Sequence, residues 1–471
     1  MEPHEDVIDL LVVGGGTAGI VGATTAAQLG ARTVLVERTR TGGDCLWTGC
    51  VPSKTLLSAA KAAAAQRALT GRDPDFSAVR VRIAEAIATI EPDDSPETLE
   101  ASGVTVVSGT ARFTAPGEAE VDGRTVRFRQ ALIATGSAPT MPGIPGLQDA
   151  RVVTSETIWD LTELPARLVV VGGGPLGCEL AQAFARLGSR VVLVTRSGIL
   201  TKEDRDAVAL VRRSLLSDGV RLVEDVDAER VSPHGDGSST VHTVDGRSFD
   251  ADVVLVATGR TPRTQGLGLE AAGVQCDDTG HVAVDARMRT SQPTIWAAGD
   301  VTPNPEYTHL AGVHAATAAS NAVLGLRRTV SGTVPRVTYT SPELAAVGVT
   351  EASGKGHTTS TIRHEDTDRA VAEQRTVGLT RIVVDRRGRI LGGTVVGPRA
   401  GESLAELTLA VEQRLRTREL AGVTHPYPTY NDALWNAAIA HARSGLDSPL
   451  ARAAVQVLLR VNRWRAQRSS R

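Results

Sequence analysis

The sequence predicts an α/β protein that contains two Rossmann-like units of the same build and a C-terminal α+β domain. The first observation behind this prediction is an internal repeat. A strand pattern, a glycine-rich turn, a helical segment and a second strand pattern occur at residues 9–37 and again at 167–195. The second is the length of 471 residues, which suits about three domains. The third is a short alternating strand pattern that begins near Pro335 and gives way to helical patterns.

The composition excludes several classes of protein. The 51 basic and 53 acidic residues give a formal charge of −2, which is too balanced for a nucleic-acid-binding surface. Four cysteines in so long a chain do not make a disulfide framework, and no apolar run reaches the ~18 residues of a membrane span. We therefore expect a soluble cytoplasmic protein with a small-molecule substrate and no nucleic-acid partner.

The glycine-rich turn of the first unit reads Gly-Gly-Gly-Thr-Ala-Gly at residues 14–19. In such a loop the first glycine, Gly14, makes the tight turn, Gly16 lets the backbone approach a pyrophosphate, and Gly19 lets the helix pack on the strand. Thr17 and Ala18 open the helix whose N-terminus would face the phosphates. A single match is a weak signal, because glycine-rich loops also occur by chance.

The second unit repeats this pattern with Gly172, Gly174 and Gly177. From the first glycine to the residue that ends the second strand there are 23 positions in both copies, which makes Glu37 and Thr195 equivalent. Two matches at identical spacing predict two dinucleotide-binding domains.

The two strand-end residues predict different nucleotides. Glu37 can accept a hydrogen bond from an adenosine ribose hydroxyl, so the first site suits a nucleotide without a 2′-phosphate, such as FAD. Thr195 carries no charge and is followed by Arg196, with Lys202 a little beyond. The second site therefore tolerates a 2′-phosphate and favours NADPH over NADH. The alternative is that Arg196 and Lys202 only form a solvated surface.

A second pair of echoes, Ala-Thr-Gly at residues 134–136 and 257–259, closes one further strand in each unit. Between the loop and this echo the first copy is 35 residues longer, and we place the excess roughly between Thr39 and Asp73. The predicted domains are a first nucleotide-binding part at 1–150, a second nucleotide-binding domain at 151–266, the remainder of the first at 267–331 and a C-terminal domain at 332–471.

Two cysteines, Cys45 and Cys50, lie in this insertion. Positions i and i+5 of a regular helix are about 8–9 Å apart between Cα atoms, whereas a disulfide needs less than about 7 Å. Either the two cysteines are not bridged or the helix is distorted between them. Gly49 and Pro52 favour a helix that becomes regular only near Val51.

Cys50 would then lie near a helix N-terminus, where the helix dipole lowers the pKa of a thiol. Lys54, one turn further on the same face, adds positive charge. The sequence therefore predicts a reactive thiolate at Cys50. The alternatives are a pair of buried structural thiols, or a zinc site that no CxxC motif or nearby histidine completes, so no metal site is predicted.

These motifs occur together with Gly299-Asp300, with Tyr-Thr-Ser-Pro-Glu at 339–343 and with Gly-Gly-Thr-Val-Val-Gly at 392–397. In this combination the chain resembles the flavoprotein disulfide reductases, the FAD-dependent pyridine nucleotide-disulfide oxidoreductases, over nearly its whole length. Residues 177–182 together with Thr195 and Arg196 resemble most closely the branch of mercuric reductase and dihydrolipoyl dehydrogenase.

The resemblance implies a homodimer with a shared active site, in which two nested Rossmann-like domains bind FAD and NAD(P)H and the C-terminal domain dimerises. A hydride from the nicotinamide would reach the flavin and then a Cys45–Cys50 disulfide. By the same resemblance Cys50 is the charge-transfer thiol that faces the flavin, Cys45 exchanges with substrate, and Lys54 lies near flavin N5 and pairs with Glu179. Further cofactor contacts are implied for Gly43, Thr135, Gly136, Gly259, Gly299 and Asp300.

The C-terminal domain departs from the pattern of this family. The usual His-Pro-x-x-x-Glu is replaced by HPYPTYND at residues 425–432. Alignment on Pro428 puts Tyr427 in the position of the base and Asp432 in that of the residue that orients it, an arrangement that resembles mercuric reductases. A phenol with a pKa near ~10 is a poor base at neutral pH, so rapid reduction of a small disulfide is not expected. His425 is the alternative base if the loop bends.

The remaining cysteines narrow the choice of acceptor. Cys178 is expected in a helix packed on the sheet and Cys276 in a loop, and neither is expected to be catalytic. No cysteine follows Cys276, so the C-terminal thiol pairs of mercuric reductases and of the large thioredoxin reductases are absent. We expect an FAD oxidoreductase that passes electrons from NADPH through Cys45 and Cys50 to a small disulfide, a metal ion or a quinone. The alternative is a flavin-bound redox sensor or scaffold with little turnover.

The C-terminal tail carries an apolar stripe amid arginines, which predicts an amphipathic basic helix. The stripe consists of Leu450, Ala454, Val457, Val461 and Trp464. Packing on the dimer is the favoured role of this helix, and attachment to a membrane surface is the alternative.

Overall fold

The computed structural model describes residues 7–71, 75–352, 354–444, 446 and 449–469. The chain divides into two compact units. The first comprises residues 1–199 and 215–332, and the second comprises residues 200–214 and 333–471.

The described strands follow one another along the whole chain. They are β1 (Ile8–Val13), β2 (Thr33–Glu37), β3 (Val104–Ser108), β4 (Ala111–Ala115), β5 (Glu118–Val121), β6 (Arg124–Ile133), β7 (Ser137–Pro139), β8 (Val152–Val153), β9 (Arg167–Val171), β10 (Arg190–Thr195), β11 (Arg221–Glu224), β12 (Ala228–Pro233), β13 (Ser239–Thr243), β14 (Ser248–Ala251), β15 (Val253–Val256), β16 (Arg260–Pro262), β17 (Ile295–Ala297), β18 (Arg336–Thr338), β19 (Glu343–Gly348), β20 (Thr358–Arg363), β21 (Leu379–Val384) and β22 (Ile390–Gly397).

The described helices alternate with these strands. They are α1 (Thr17–Gln28), α2 (Gly43–Trp47), α3 (Cys50–Thr70), α4 (Phe76–Ile90), α5 (Pro96–Ala101), α6 (Pro175–Leu187), α7 (Arg205–Ser217), α8 (Thr308–Leu324), α9 (Asp368–Ala372), α10 (Ala400–Glu412), α11 (Thr417–Ala421), α12 (Asp432–Ser444) and α13 (Pro449–Ser469).

The first unit contains a parallel sheet with the strand order β3-β2-β1-β6-β17. Strand β6 also pairs antiparallel with β5, which in turn pairs antiparallel with β4. Alternating side chains of β1 enter opposite cores, with Leu11 and Val13 on one face and Leu10 and Val12 on the other. Helices α1 and α8 cover the second face with small residues. Burial on both faces explains the continuous apolar run of this strand in the sequence.

The same unit contains a second parallel sheet, with the order β11-β10-β9-β15-β8. The strands β12, β13 and β14, which lie between β11 and β15 in the sequence, form a separate antiparallel sheet. In each parallel sheet, two neighbouring strands are the two strands of the sequence repeat, and the glycine turn and helix of the repeat connect them. The prediction of two Rossmann-like units is therefore confirmed.

The insertion in the first copy is helical. Between β2 and β3 the chain forms α2, α3, α4 and α5, whereas the equivalent connection between β10 and β11 contains the single helix α7. Asp73, where the sequence analysis ends the insertion, lies outside the described residues. Helix α4 packs against α3.

The second unit contains the antiparallel sheet β18-β19-β22-β21-β20. Side chains of α10, α11 and α12 share a core with this sheet, among them Leu404, Leu420 and Leu434 with Ile382. This is the α+β domain that the sequence predicts.

The predicted amphipathic helix at the C-terminus is α13, in which residues 452–468 are all exposed. Among the described residues, no helix combines the length and apolar character needed to cross a membrane.

Candidate redox and nucleotide site

The carboxyl ends of the first parallel sheet border a cavity of about 470 Å³. Segments from several parts of the sequence line it, among them the glycine loop, the end of β2 with the start of the insertion, the Ala-Thr-Gly segment and the Gly-Asp segment. The predicted site residues that line it are Gly14, Gly16, Thr17, Ala18, Glu37, Gly43, Cys45, Thr135, Gly136, Gly299 and Asp300.

The first glycine of each loop is required by a close backbone contact. Gly14 has φ 106°, and a Cβ there would lie 2.5 Å from the carbonyl oxygen of Ala134. Gly172 has φ 124°, and a Cβ there would lie 2.2 Å from the carbonyl oxygen of Ala257. The two alanines begin the two Ala-Thr-Gly echoes, so the echoes exist because each glycine turn packs on the end of a neighbouring strand.

The third glycine of each loop is required by helix packing. A Cβ on Gly19 would lie 1.8 Å from the carbonyl oxygen of Gly14, and a Cβ on Gly177 would lie 2.0 Å from that of Gly172. Any side chain at either position would push the helix off its strand.

The second glycine of each loop faces open space, as a bound pyrophosphate requires. A Cβ on Gly16 would meet only the Cα of Gly43, at 3.7 Å, and one on Gly174 would meet no atom within 4 Å. Gly16 is also the N-cap of α1 and supplies no side-chain cap, which leaves that helix N-terminus to an anion. These features fit a dinucleotide in the cavity.

Glu37 is held rigidly at the end of β2. Its Oε2 accepts a hydrogen bond from Gly15 N at 2.6 Å, and its Oε1 accepts from Thr39 N at 2.9 Å and Thr39 Oγ1 at 3.0 Å. The carboxylate thus stands where this fold binds the adenosine ribose.

The two cysteines lie on either side of a break between α2 and α3. Gly49 makes the turn, because a Cβ there would lie 2.7 Å from the carbonyl oxygen of Asp44. Trp159 Nε1 fixes the turn by donating a hydrogen bond to Thr48 O at 2.9 Å. The spacing rule for a regular helix therefore does not apply, and both cysteines are free thiols in this structure.

The two thiols have opposite pKa shifts. The hydrogen bond from the Cys45 thiol is the largest of the effects that lower the pKa of Cys50 to about 6, followed by Thr308 and Lys54, and together they outweigh the burial of Cys50. The same contact, together with burial, holds the pKa of Cys45 well above its usual range. Cys50 Sγ lies 3.3 Å from Thr308 Oγ1 at the start of α8. At neutral pH the pair therefore consists of a Cys50 thiolate and a Cys45 thiol.

Lys54 and Glu179 form the ion pair that the resemblance implies. Lys54 Nζ lies 3.0 Å from Glu179 Oε2 and also donates to Ser53 Oγ at 3.3 Å. The Glu179 side chain is 5% exposed, and that of Lys54 is 39% exposed. The pair joins α3, which carries Cys50, to α6 of the second repeat.

Asp300 belongs to a polar cluster centred on Arg260. Ser137 Oγ donates to Asp300 Oδ2 at 2.9 Å, and Arg260 Nε donates to Ser137 Oγ at 2.6 Å. Arg260 also forms an ion pair with Asp44, the residue before Cys45. The cluster thereby connects the Gly-Asp segment with the start of the insertion.

The second strand-end site contains a carboxylate that the sequence analysis did not consider. Thr195 Oγ1 donates to Gly198 O at 3.1 Å, and Arg196 Nε donates to Asp227 Oδ2 at 2.9 Å. Both side chains of the ion pair are largely exposed. The cation that was assigned to a 2′-phosphate is therefore already paired. Gly259, from the second echo, has open space around it.

The other two cysteines lie where the sequence analysis expects them. Cys178 is buried within α6, with Sγ 3.5 Å from Gly173 O. Cys276 is exposed outside the named strands and helices. In the part of the chain that the structure describes, no cluster of three or more His, Cys, Asp or Glu side chains could hold a metal ion.

The carboxylate that contacts Tyr427 is not the expected one and lies on a different element. Its hydroxyl donates to Asp368, at the start of α9, and this hydrogen bond raises the pKa of Tyr427 above its usual value. Asp432 instead accepts from Thr429 N at 2.9 Å and from Thr429 Oγ1 at 3.0 Å. In this structure the Tyr427 hydroxyl therefore bonds Asp368, whereas Asp432 bonds Thr429.

Three contacts hold the His425 ring in place. Its Nε2 lies 2.7 Å from Glu406 Oε1, its Nδ1 lies 2.9 Å from Val423 O, and its ring stacks on Trp435 with 5.1 Å between centroids. The side chain is 5% exposed. Bending the loop so that His425 acts as the base would break all three contacts.

Sequence reasoning missed four residues of these sites, namely Thr308, Arg260, Asp227 and Asp368. Each lies far along the chain from the group that it contacts, and none belongs to a motif with a fixed spacing. Two of them had an indirect signal, because Arg260 directly follows the second Ala-Thr-Gly echo and Thr308 follows the Gly299-Asp300 motif by eight residues.

Comparison with known protein families gives a match over most of the chain. Residues 8–320 match the model described as pyridine nucleotide-disulphide oxidoreductase, and residues 334–438 match the dimerisation domain of the same family. A mercuric reductase from Streptomyces lividans is 38% identical over 447 residues, covering 90% of this chain and 94% of that protein. A dihydrolipoyl dehydrogenase from Thermus scotoductus is 36% identical, covering 91% and 96%.

Solved structures of similar proteins have the same fold. LpdA from Mycobacterium tuberculosis is 29% identical with a TM-score of 0.85, covering 92% of this chain and 99% of that one. The Cu(II) complex of the HOCl-induced flavoprotein disulfide reductase RclA from Escherichia coli is 26% identical with a TM-score of 0.84, covering 92% and 99%.

The first prediction concerns the ionisation of Cys50 in the reduced protein. Since its pKa is about 6, alkylation of Cys50 by iodoacetamide should rise with half-effect near pH 6, well below the ~8.5 of an ordinary thiol. The midpoint of this pH profile reports the pKa of Cys50 even if limited access of iodoacetamide slows the reaction. Mass spectrometry of the alkylated peptides measures it, and Cys276 serves as the internal reference.

Two variants identify the cause of this shift. Cys45→Ala should raise the midpoint of Cys50 more than Lys54→Met does, because the hydrogen bond from Cys45 is the larger effect. A wild-type midpoint above pH 8, or a lower midpoint at Cys45 than at Cys50, would contradict the assignment.

The second prediction concerns the stability of the Lys54–Glu179 pair. Lys54→Met leaves a buried carboxylate without its partner and should lower the free energy of unfolding by about 1–3 kcal/mol. This is less than for a fully buried pair, because Lys54 is 39% exposed. Denaturant unfolding measures the change, and Lys54→Met with Glu179→Gln should recover much of it.

The control is the exposed ion pair of Arg247 with Asp245, in which the side chains are 42% and 37% exposed. Arg247→Met should change the free energy of unfolding by less than about 1 kcal/mol. Equal losses of unfolding free energy in Lys54→Met and Arg247→Met would show that the buried pair stabilises the protein no more than an exposed pair does.

Proposed function

The chain belongs to the pyridine nucleotide-disulphide oxidoreductase family, and we propose that it is an NADPH-dependent reductase whose Cys45–Cys50 pair delivers electrons to a thiophilic metal ion. Enzymes of this family use FAD and NAD(P)H. The observation that carries the proposal is the opposite ionisation of the two thiols, because a thiolate beside a thiol forms a two-electron donor at neutral pH.

The residues of the first cavity fit FAD. Gly16 and the N-terminus of α1 would hold the pyrophosphate, Glu37 the adenosine ribose, and Asp300 the ribityl part. When bound, FAD accepts a hydride from the nicotinamide and passes two electrons to the disulfide form of the cysteine pair.

The electron balance at the cysteines is simple. Closing the Cys45–Cys50 disulfide releases two electrons, and the thiol proton of Cys45 leaves to solvent. A single Hg²⁺ ion takes up both electrons and becomes the element, whereas Cu²⁺ takes up one, so two Cu²⁺ ions become Cu⁺ for each disulfide that closes. Thiolates are soft ligands, so they bind such an ion in preference to hard cations. No resident metal site is needed, because the ion is the substrate.

The residue at the base position argues against a small disulfide as the acceptor. In disulfide exchange the leaving thiolate must be protonated and the attacking thiol deprotonated, which calls for a group that titrates near neutral pH. Tyr427 is unsuited to this, since Asp368 raises its pKa above the usual ~10 of a phenol. Metal reduction makes no such demand.

Two relatives support a metal ion. The relative from Streptomyces lividans is a mercuric reductase, and RclA has been solved with Cu(II). We further propose that the active site is shared in a homodimer, in which the dimerisation domain of one copy brings Tyr427 to the thiol pair of the other. The other class of function, a redox sensor with little turnover, predicts slow NADPH oxidation with every acceptor.

The third prediction is the test of this proposal, an anaerobic measurement of NADPH oxidation with several acceptors. Thiol-chelated Hg²⁺ or Cu²⁺ should be reduced at least about 10²-fold faster than glutathione disulfide, since the group that would contribute such a factor in disulfide exchange is missing. Cys45→Ala and Cys50→Ala should each abolish metal reduction. Quinone reduction that survives both variants would not involve the pair.

The control separates the two candidate bases. Tyr427→Phe and His425→Ala should both leave the slow disulfide rate nearly unchanged. If disulfide turnover is fast and falls by about 10²–10⁴ in His425→Ala, then His425 is the base and the proposed acceptor is wrong.

The fourth prediction concerns the choice of nucleotide. Arg196→Ala should raise the KM for NADPH by about tenfold and leave that for NADH nearly unchanged, because only NADPH carries the 2′-phosphate. Asp227→Asn should lower the KM for NADPH several-fold, roughly the effect of a surface ion pair, because the guanidinium is released and a repelling charge is removed. Steady-state kinetics with both nucleotides measures these values. Equal effects of Arg196→Ala on the two KM values would contradict the NADPH assignment.

A further inference from the structure

The C-terminal helix α13 presents a large apolar surface to solvent. Its residues 452–468 are all exposed. The exposed fractions are 86% for Leu450, 63% for Leu458 and 52% for Trp464. Side chains of this kind are normally buried, so an exposed apolar stripe of this length marks a surface that binds something else.

The two sides of α13 have different chemistry. Residues that recur at intervals of three or four form the apolar face already described, with Val457 and Val461 at its centre. On the opposite face lie polar and basic side chains, namely Arg452, Gln456, Arg460, Arg463 and Gln467. The apolar face ends at Trp464, because Arg468 follows it at the next position on the same face and its guanidinium lies 4.2 Å from the centre of the Trp464 ring.

The charge of this segment has one sign. Residues 449–471 contain six arginines and no aspartate or glutamate. A basic amphipathic helix with a tryptophan on its apolar side is the pattern of a helix that lies in the interface of a lipid bilayer. Arginines add about 1 kcal/mol each to the attraction of such a helix for an anionic lipid surface.

We propose that α13 binds the surface of a membrane that contains anionic lipid. Its apolar face would enter the boundary between headgroups and acyl chains, and its arginines would contact the lipid phosphates. The helix lies along the surface and does not span it, in keeping with its mixed composition. The proposal does not depend on the cysteine pair, so it stands or falls separately from the proposed function.

A second copy of the chain is a less suitable partner for α13, although the sequence analysis favours it. The dimerisation domain matched by the family ends at residue 438, before α13 begins at Pro449. Two copies of α13 would also bring like charges together. An anionic lipid surface satisfies both sides of the helix, because acyl chains contact the apolar face and phosphates contact the arginines.

The test is co-sedimentation of the full-length holoenzyme with vesicles. Phosphatidylcholine vesicles that contain phosphatidylglycerol should carry the protein down, and pure phosphatidylcholine vesicles should not. Salt should weaken the binding, because it screens the arginines. The emission of Trp464, identified by difference from Trp464→Phe, should shift to shorter wavelength on binding.

Matched variants test each face of the helix. Arg460→Gln and Arg463→Gln should each lower the partition coefficient roughly fivefold, from about 1 kcal/mol per charge. Val457→Ser with Val461→Ser should abolish binding, whereas the control Gln456→Ser with Gln467→Ser should not. NADPH oxidation with a soluble acceptor should be unchanged in all of them, which shows that they fold.

Three results would contradict the proposal that α13 binds a membrane. Absence of binding to phosphatidylglycerol vesicles at low salt would overturn the proposal. So would equal binding to neutral vesicles, or conversion of the dimer to monomer on deletion of residues 449–471, as measured by light scattering, since the helix would then serve the second copy.

Discussion

The close approach of each glycine turn to a neighbouring strand is the constraint on which the rest of the first unit depends. A side chain at Gly14 or Gly172 would collide with the carbonyl oxygen of Ala134 or Ala257. The contact fixes where the helix begins and brings three strand ends to one edge of the sheet. Everything that faces the cavity, including Glu37 and Asp300, takes its position from that edge.

The electrostatics of the cysteine pair arise from groups that this scaffold brings together. Lys54 is a local cause that the sequence shows directly. The larger cause is the contact with Cys45, which exists because the turn at Gly49 interrupts the helix, and Thr308 contributes from a segment far along the chain. A regular helix would have kept the thiols apart and removed the largest cause of both pKa shifts.

Features that depend on a motif of fixed spacing, or on a periodic pattern, can be predicted well from the sequence. The two nucleotide-binding units, the position of Glu37 and the C-terminal α+β domain all follow from motifs or periodicity. The Lys54–Glu179 contact follows from the resemblance alone. Contacts between side chains on unrelated elements, such as Arg260 with Asp44 or Tyr427 with Asp368, leave no such pattern. They depend on how loops pack after the sheets have formed, which single-sequence periodicity does not describe.

The distribution of these features along the chain has a consequence for specificity. The residues that hold the nucleotide and set the thiol ionisation lie before residue 332, and there the chain keeps the pattern of its family. The phenol at Tyr427, which stands in place of the usual histidine, and the basic helix α13 both lie after it. Under the proposed function, the first part supplies a two-electron donor and the C-terminal part decides which acceptor is reduced. A phenol that stays protonated suits an acceptor that needs no proton at the sulfur, which links Tyr427 to the metal ion that we propose as the acceptor.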